Sequence, residues 1–370
     1  MRASALSFLR GTAHLYAQDW ENYAPAELKA SPVTWVCGDA HIENFGTYRA
    51  AHGLVVFDVN DFDEALLAPA LYDLARLCAS WVVWQGGDAP KLDPKPGILT
   101  IADAYAAALR FGKALWVDRD TAAGEIGRLM NVVYSRKYGE LLAKRTTVTG
   151  KTRKLMLGKH ALAVDADQRR HAVEAIGTFA KSTGDVLERF NVIDVAWRIA
   201  GTGSLGLERY AVLVAGDGTI DGMRLLDVKF AAPAVMAQQS RQPQPRFTTD
   251  AERVVAGYQR MQCWTPRRLG AVTVDGRSYV VRTLQPTEDR LNWANPDSLD
   301  IPELQRALGA LLAWTHLRSG GRDGSAIADT LIAFGSDRGW LAPFVDYACG
   351  VSERCVADWQ AYRDGSLGRE

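Results

Sequence analysis

The sequence contains few cysteines and no excess of charge of either sign. Only five of its 370 residues are cysteines, and no two of them form a CxxC pair. An odd number of cysteines without metal-type spacing argues against a disulfide framework or a zinc site and favours a reducing compartment. Basic and acidic residues number 43 each, so the formal net charge is zero. The overall charge therefore gives no argument for binding nucleic acid or a membrane surface.

The sequence also lacks the patterns of targeting and membrane segments. Residues 1–20 contain no uninterrupted apolar core followed by a small-residue cleavage site, the pattern of a signal peptide. No stretch reaches the roughly 18 uninterrupted apolar residues of a membrane span. We therefore expect a cytoplasmic protein without membrane or nucleic-acid partners, and the sequence leaves its oligomeric state open. Apolar residues make up 48% of the chain, which suffices for one or two sizeable cores.

Apolar periodicity predicts an α+β protein organised in three segments. Residues 1–190 begin with two short strands, at 33–37 and 53–59, and continue as a mainly helical block. Residues 191–290 are rich in strand patterns, and residues 291–370 return to helical ones. The middle segment is therefore predicted to be a small β-rich unit between two helical parts.

Within these segments, several elements are marked by their end signals. A helix is predicted from about Thr249 to Gln262, and the strongest hairpin signal is the turn at Asp275-Gly276. The last segment contains an amphipathic helix over 302–318 and a helical tail over 325–365. The apolar face of the first of these helices contains Leu304, Leu308, Leu311, Leu312 and Thr315.

Carboxylate and amide side chains are concentrated in two loops of the first segment. The loop 38–44 contains Asp39, His41, Glu43 and Asn44, and the loop 57–64 contains Asp58, Asp61, Asp63 and Glu64. Neighbouring carboxylates repel one another and raise each other's pKa, and a divalent cation such as magnesium relieves that repulsion. A solvated acidic turn is the alternative, and a lone histidine such as His41 is commonly structural.

The middle segment contains a glycine-rich turn followed by a lysine on a strand. The turn reads GTGSLG, and its candidate phosphate-binding residues are Gly201, Thr202, Gly203, Ser204 and Gly206. A dinucleotide-binding fold would continue with a helix, whereas residues 207–214 read as a strand, the arrangement found in kinases. The next strand carries Lys229, which is similar to the kinase lysine that holds the α- and β-phosphates. An exposed lysine on an edge strand is the alternative.

The loop GDAHIEN resembles the catalytic loop of aminoglycoside phosphotransferases and related small-molecule kinases, whose pattern is roughly H-G-D-x-H-x-x-N. As in that pattern, Asp39 lies five residues before Asn44, although Cys37 stands at the position of the first histidine. Asp61 is followed twelve residues later by Asp73, which opens a Leu-Ala helix as in the family. Nearly the entire chain also resembles the DUF2252 family, a bacterial family of unassigned function.

The resemblance implies a protein-kinase-like two-lobed fold that uses ATP and Mg²⁺. Asp39 would accept or orient the proton of the substrate hydroxyl, with His41 beside it. Asn44 and Asp61 would hold magnesium, with Asp63 or Asp58 as a further ligand, and Lys229 and the glycine turn would bind the phosphates of ATP. Arg10 is expected to approach this site from the N-terminal segment.

The resemblance also assigns the rest of the nucleotide site. Glu252, on the helix after Lys229, is the candidate for orienting that lysine, although Thr249 and Glu252 also form a capping box. The strand that contains Arg282 and ends at Leu284 takes the position of the strand whose backbone binds adenine. These residues complete the predicted ATP-binding part.

The order of these elements differs from that of the phosphotransferases. The helix over 308–316 resembles the one that directly precedes their catalytic loop, but here it follows the loop in sequence. The order is that of a circular permutation, in which the catalytic-loop segment precedes the β-rich nucleotide-binding lobe. It predicts that residues 316–321 lie near residues 30–38.

Three functions remain open at this point. The first is a phosphotransferase that acts on a hydroxyl of an unknown small molecule or protein. The second is a nucleotidyl (AMP) transferase on the same fold, and the third is a non-catalytic nucleotide-binding regulatory protein. The joint presence of Asp39, Asn44, Asp61 and Lys229 argues against the third. A metal-dependent hydrolase built on the acidic loops alone would leave Lys229 without a role.

Overall fold

The protein has a mixed α+β fold, seen here in a computed structural model. The structure describes residues 1–86, 93–201, 206–240, 242–295 and 299–365. Its helices are α1 (Ala5–Gly11), α2 (Ala13–Tyr23), α3 (Ala26–Lys29), α4 (Leu71–Gly86), α5 (Lys95–Phe111), α6 (Gly124–Tyr134), α7 (Tyr138–Arg145), α8 (Ala166–Thr183), α9 (Asp250–Met261), α10 (Ile301–Ser319), α11 (Ala328–Ser336) and α12 (Leu341–Asp364). Within these described residues, no helix is both long and apolar enough to cross a membrane.

The strands form one large antiparallel sheet and three smaller ones. They are β1 (Val33–Val36), β2 (Phe45–Arg49), β3 (Val55–Val59), β4 (Leu66–Pro69), β5 (Val117–Asp118), β6 (Thr146–Thr149), β7 (Thr152–Leu155), β8 (Ala161–Leu162), β9 (Val192–Arg198), β10 (Arg209–Val214), β11 (Arg224–Phe230), β12 (Leu269–Val274), β13 (Arg277–Thr283) and β14 (Asp289–Arg290). The large sheet has the order β12-β13-β11-β10-β9-β8. A second sheet has the order β14-β2-β3-β5, while β1 pairs with β4 and β6 with β7.

Two large hydrophobic clusters and two smaller ones hold the described elements together. The main core joins α4, α5, α10 and α12 with the N-terminal helices and with α9. The second core lies between α8 and one face of the large sheet, where Ile176 and Phe179 pack against Val212 and Val228. Helix α8 therefore packs on the β-rich part of the molecule, although it belongs to the mainly helical first segment in sequence.

Most predicted elements are present, and one hairpin of the structure was not predicted. The turn between β12 and β13 has φ 48° at Asp275 and φ 75° at Gly276, which confirms the Asp-Gly hairpin. The predicted strand at 33–37 pairs with β4 and the one at 53–59 pairs with β2, two pairings that the sequence had left open. The hairpin β6–β7 interrupts the block that was predicted to be mainly helical, and its β-branched Thr-Thr-Val-Thr run followed by a glycine was the signal for it.

The two segments that the predicted permutation separates in sequence, residues 316–321 and 30–38, lie close together. The Oγ1 of Thr34 is 2.9 Å from the Oγ of Ser319 and 3.0 Å from that of Ser325. The backbone N–H of Ala326 donates to the carbonyl oxygen of Val33 at 2.7 Å. The predicted proximity of residues 316–321 and 30–38 is thus confirmed as a contact.

The packing of α10 on α5 allows a test of the main core. A Cβ at Gly309 would lie 2.3 Å from the carbonyl oxygen of Ile101, so no side chain fits there without a backbone shift. We expect Gly309→Val to lower the free energy of unfolding by about 1–3 kcal/mol, measured by urea denaturation. Gly177→Ala on α8 is the matched control, because a Cβ there meets no atom within 4 Å. That variant should gain about 0.5–1 kcal/mol, and equal stability losses in both would contradict the packing.

Candidate functional site

A cleft separates the two acidic loops from the large sheet. Its volume is about 570 Å³. From the loops it is lined by Asp39, His41, Glu43, Asn44, Asp61, Asp63 and Glu64, and from the sheet side by Gly201, Leu207, Arg198, Arg209 and Arg282. The structure thus brings residues from the first and the middle segment of the sequence to one cavity.

The loop 38–44 is fixed from below by a buried aspartate at the start of α4. The backbone N–H groups of Cys37 and Gly38 donate to the two carboxylate oxygens of Asp73, at 2.7 Å and 3.0 Å. The Nε2 of His316 lies 3.5 Å from one of these oxygens. The Nδ1 of the same histidine lies 2.8 Å from the hydroxyl of Tyr105. This network fixes the position of the loop on the N-terminal end of α4.

Asp39 is oriented by Arg76, an arginine of helix α4. The Nε and Nη2 of Arg76 both donate to Oδ1 of Asp39, at 2.9 Å and 2.8 Å. The second oxygen, Oδ2, lies 3.7 Å from the Nε2 of His41. Burial lowers the pKa of His41 to about 4, so its imidazole is neutral near pH 7. Asp39 therefore presents one carboxylate oxygen that is not engaged by Arg76.

Asn44 and Asp61 each have a side-chain oxygen with few partners among the described residues. The Nδ2 of Asn44 donates to the carbonyl oxygens of Asp39 and Asp61, both at 3.2 Å, and no described residue donates to its amide oxygen. One carboxylate oxygen of Asp61 accepts only the N–H of Asp63, at 3.3 Å. In the described part of the chain, no three His, Cys, Asp or Glu residues form a metal cluster. Magnesium suits such a partial ligand set, because phosphate oxygens and water complete its coordination.

Lys229, on β11 of the large sheet, reaches the carboxylates of Asp61 and Asp63. Its Nζ donates to Asp63 and lies 4.0 Å from Asp61. Desolvation in the cleft would raise the pKa of Asp61, whose side chain is 54% exposed, but Lys229 and Arg209 outweigh it and lower that pKa. Burial and the negative charge of Asp61 raise the pKa of Asp63. Because β11 lies in the interior of its sheet and Lys229 is buried, the alternative of an exposed edge-strand lysine is wrong.

A cluster of arginines beside Lys229 was missed from the sequence. Asp227 is buried, with both oxygens bonded to Arg209 at 2.9 Å and 2.6 Å. Arg198 lies 2.7 Å from Asp227 and Arg282 lies 3.6 Å from it. The only signal in the sequence was the spacing of Asp227 and Lys229, two residues apart and therefore on one face of a strand.

Two of the predicted site residues have other roles. The carboxylate of Glu252 accepts the N–H of Thr248 at 2.8 Å, and its own N–H donates to Thr249 at 3.3 Å. Glu252 caps α9, and the prediction that it orients Lys229 is wrong. Asp58 is buried with both oxygens bonded to Arg318, at 2.9 Å and 2.8 Å. Asp58 is therefore not free to act as a substitute metal ligand.

The predicted adenine strand and glycine turn are only partly in the cleft. Leu284 lies outside it and uses its N–H in a 2.9 Å bond to the carbonyl of Leu225. Arg282 lines the cleft through its side chain. In the turn, Gly201 lines the cleft, and so does Leu207, the residue after Gly206. Thr202, Gly203 and Ser204 lie outside the described residues.

The N-terminal segment closes one side of the cleft. As expected from the sequence, Arg10 of α1 lines the cavity, and its Nη1 lies 2.5 Å from a carboxylate oxygen of Glu43. Arg290 of β14 lies 3.1 Å from the same oxygen. Burial lowers the pKa of Arg10. The wall beside Asp39 therefore carries two guanidinium groups that share one carboxylate.

Comparison with known proteins gives a family without an assigned activity. No curated protein and no solved structure matches the chain. The model of one protein family, DUF2252, described as an uncharacterized protein conserved in bacteria, matches residues 1–365. Since this match extends over nearly the whole sequence, the chain belongs to the DUF2252 family.

Proposed function

We propose that the protein is an ATP- and magnesium-dependent phosphotransferase of the protein-kinase-like superfamily, acting on a hydroxyl group. The observation that carries this proposal is the position of Lys229, whose Nζ lies 4.0 Å from Asp61. Asp61 lines both the cleft that contains Asp39 and Asn44 and a small pocket of about 30 Å³ beside it, which Lys229 also lines. A lysine for phosphates, oxygen ligands for magnesium and a carboxylate for the hydroxyl proton are what phosphoryl transfer requires.

The order of elements around Lys229 supports the kinase assignment. Strands β9 and β10 flank the glycine turn, β11 carries the lysine, and α9 leads into the hairpin β12–β13. Kinases likewise place a glycine-rich loop before a lysine on their third strand. The contact of Thr34 with Ser319 supports the permuted order, because it joins the elements that a permutation separates in sequence.

The residues of the cleft suggest a simple mechanism. The substrate hydroxyl oxygen attacks the γ-phosphorus of ATP, its proton moves to Oδ2 of Asp39, and ADP leaves. Arg76 holds Asp39 in position, and Lys229 binds the phosphates. Magnesium held by Asn44 and Asp61 would neutralise negative charge on the phosphate oxygens. Asp63, rather than Glu252, orients the lysine in this arrangement.

Labelled ATP tests this function directly. Purified protein is incubated with Mg²⁺, a panel of hydroxyl-bearing metabolites and ATP labelled at either the α- or the γ-phosphate. We expect transfer of the γ-label alone, and no transfer when EDTA removes magnesium. Transfer of the α-label alone would identify an AMP transferase instead. Binding of ATP without transfer to any acceptor or to the protein itself would leave a regulatory nucleotide-binding protein.

A further inference from the structure

The sheet face that borders the cleft has a charged half and an apolar half. The charged half lies next to the acidic loops and contains Arg198, Arg209, Asp227, Lys229 and Arg282. The apolar half is covered by α7 and β7, and its cluster contains Leu142, Leu155, Ala196, Ala211, Leu213, Leu225 and Leu284. Among the described residues, the three arginines of the charged half line the open cleft, and Asp227 and Lys229 line a small pocket of about 30 Å³ beside it.

In the charged half, three arginines contact two carboxylates, and Lys229 is paired with Asp61 and Asp63 of the acidic loop. Arg198, Arg209 and Arg282 surround the single buried carboxylate of Asp227, and Glu288 at the rim bonds only Arg282, at 3.0 Å. The Nη1 of Arg198 is buried and lies 2.7 Å from a carboxylate oxygen of Asp227. Because three guanidinium groups share this carboxylate, the oxygens of an anionic ligand would give them further charge-assisted hydrogen bonds.

The segment after β13 offers few atoms for reading a nucleotide base. The N–H of Leu284 is bonded to Leu225, and Pro286 has no N–H to donate. The carbonyl oxygen of Pro286 accepts from Arg136 at 3.3 Å. Adenine recognition by this backbone would have to break these contacts.

We infer that the cleft recognises its phosphate donor through the phosphate chain, bound by Arg198, Arg209 and Arg282 beside Lys229, with little contribution from the base. The ligand class is a triphosphate chain, carried by a nucleoside triphosphate or present as inorganic triphosphate. The role of donor rests on the proposed function, whereas the binding itself requires no turnover. ATP, GTP and inorganic triphosphate should therefore bind almost equally well.

A second cavity is the alternative site, in which a nucleotide base could be bound. It has a volume of about 110 Å³, and Arg198 lines both this cavity and the cleft. Its lining combines apolar residues, among them Ala161, Ala211, Leu225 and Leu284, with the basic residues Lys144, Arg145, Lys159 and His160. A base seated there would make ATP bind much more tightly than inorganic triphosphate. The two arrangements differ in which substitutions weaken binding.

Calorimetric titration in the presence of Mg²⁺ separates the two arrangements. We expect dissociation constants for ATP, GTP and inorganic triphosphate within about tenfold of one another, and no binding of adenosine. Arg282→Gln and Arg198→Gln should each weaken all three by about tenfold or more, because each removes charge-assisted hydrogen bonds. Arg338→Gln, at an exposed ion pair with Asp103, is the matched control and should bind as the wild type does.

A cavity-filling variant gives the opposite arm of the test. Ala161→Leu reduces the apolar cavity and should leave all three affinities unchanged. The inference is overturned if this variant weakens ATP and GTP but not inorganic triphosphate, or if ATP binds far more tightly than inorganic triphosphate in the wild type. Equal binding of the three ligands without any phosphate transfer would refute the proposed function and uphold the binding site. Transfer from ATP with no binding of inorganic triphosphate would uphold the proposed function and refute the triphosphate-binding site.

Discussion

Replacing Asp61 with alanine should lower the rate of magnesium-dependent phosphate transfer by at least about a hundredfold. Asp61 and Asn44 are the proposed magnesium ligands, and Lys229 lies 4.0 Å from Asp61. Without the carboxylate, one of these two ligands is lost, and the negative charge on the transferring phosphoryl group is neutralised less well. The measurement is the initial rate of γ-label transfer at saturating Mg²⁺.

Stability measurements separate this loss from misfolding. The side chain of Asp61 is 54% exposed, so its removal should change the free energy of unfolding by less than about 1 kcal/mol. Asp120→Ala is the matched control, because that aspartate is 77% exposed in its ion pair with Arg119 and does not line the cleft. Full transfer activity in Asp61→Ala would defeat the assignment of the magnesium site.

The second large effect is expected at Asp227. Asp227→Asn should lower the free energy of unfolding at pH 7 by about 3–5 kcal/mol, because it leaves Arg198, Arg209 and Arg282 without their shared buried counter-charge. Urea denaturation measures this change. Asp221→Asn is the matched control: its partner Arg153 is buried, but Asp221 itself is 86% exposed, so the variant should lose only about 0–1 kcal/mol.

The loss at Asp227 should depend on pH in a defined direction. Burial would raise the pKa of this carboxyl, but Arg198 and Arg209 hold it well below the ordinary value of 3.8. A carboxyl with a lowered folded-state pKa stabilises the protein above the unfolded-state pKa, and this contribution disappears as the pH falls through the folded-state pKa. The difference between wild type and Asp227→Asn should therefore be constant from pH 5 to 7 and shrink only below about pH 4. A difference that grew on acidification would contradict the ion-pair assignment.

Local patterns in the sequence predicted much of the fold. The apolar spacing on α10 identified a face whose residues are all buried, and the Asp-Gly pair located the turn between β12 and β13. The strand pairing of the first segment was not predictable in this way. The partner of β1 is β4, about thirty residues away, and apolar runs do not specify which strand pairs with which.

The candidate site was predicted where its residues are close in sequence. The loop around Asp39 and the distance from Asp61 to Asp73 gave most of the acidic wall of the cleft. Glu252 was assigned incorrectly because a glutamate at this position suits both a cap of the helix N-terminus and an ion pair with Lys229. Arg198 and Arg209 were overlooked, and the role of Arg282 as a partner of Asp227 was not foreseen, because the three arginines come from three different strands.

The sequence by itself determined the helices, the hairpin turn and the two acidic loops, since these depend on periodicity and on neighbours within a few residues. Tertiary structure decided the composition of the sheet wall. Strand register places Arg209 opposite Lys229 and Arg282 opposite Asp227, and a shift by one residue would turn these side chains to the apolar face of the sheet. The charge of the cleft is therefore a property of strand pairing, which packing against both faces of the sheet selects.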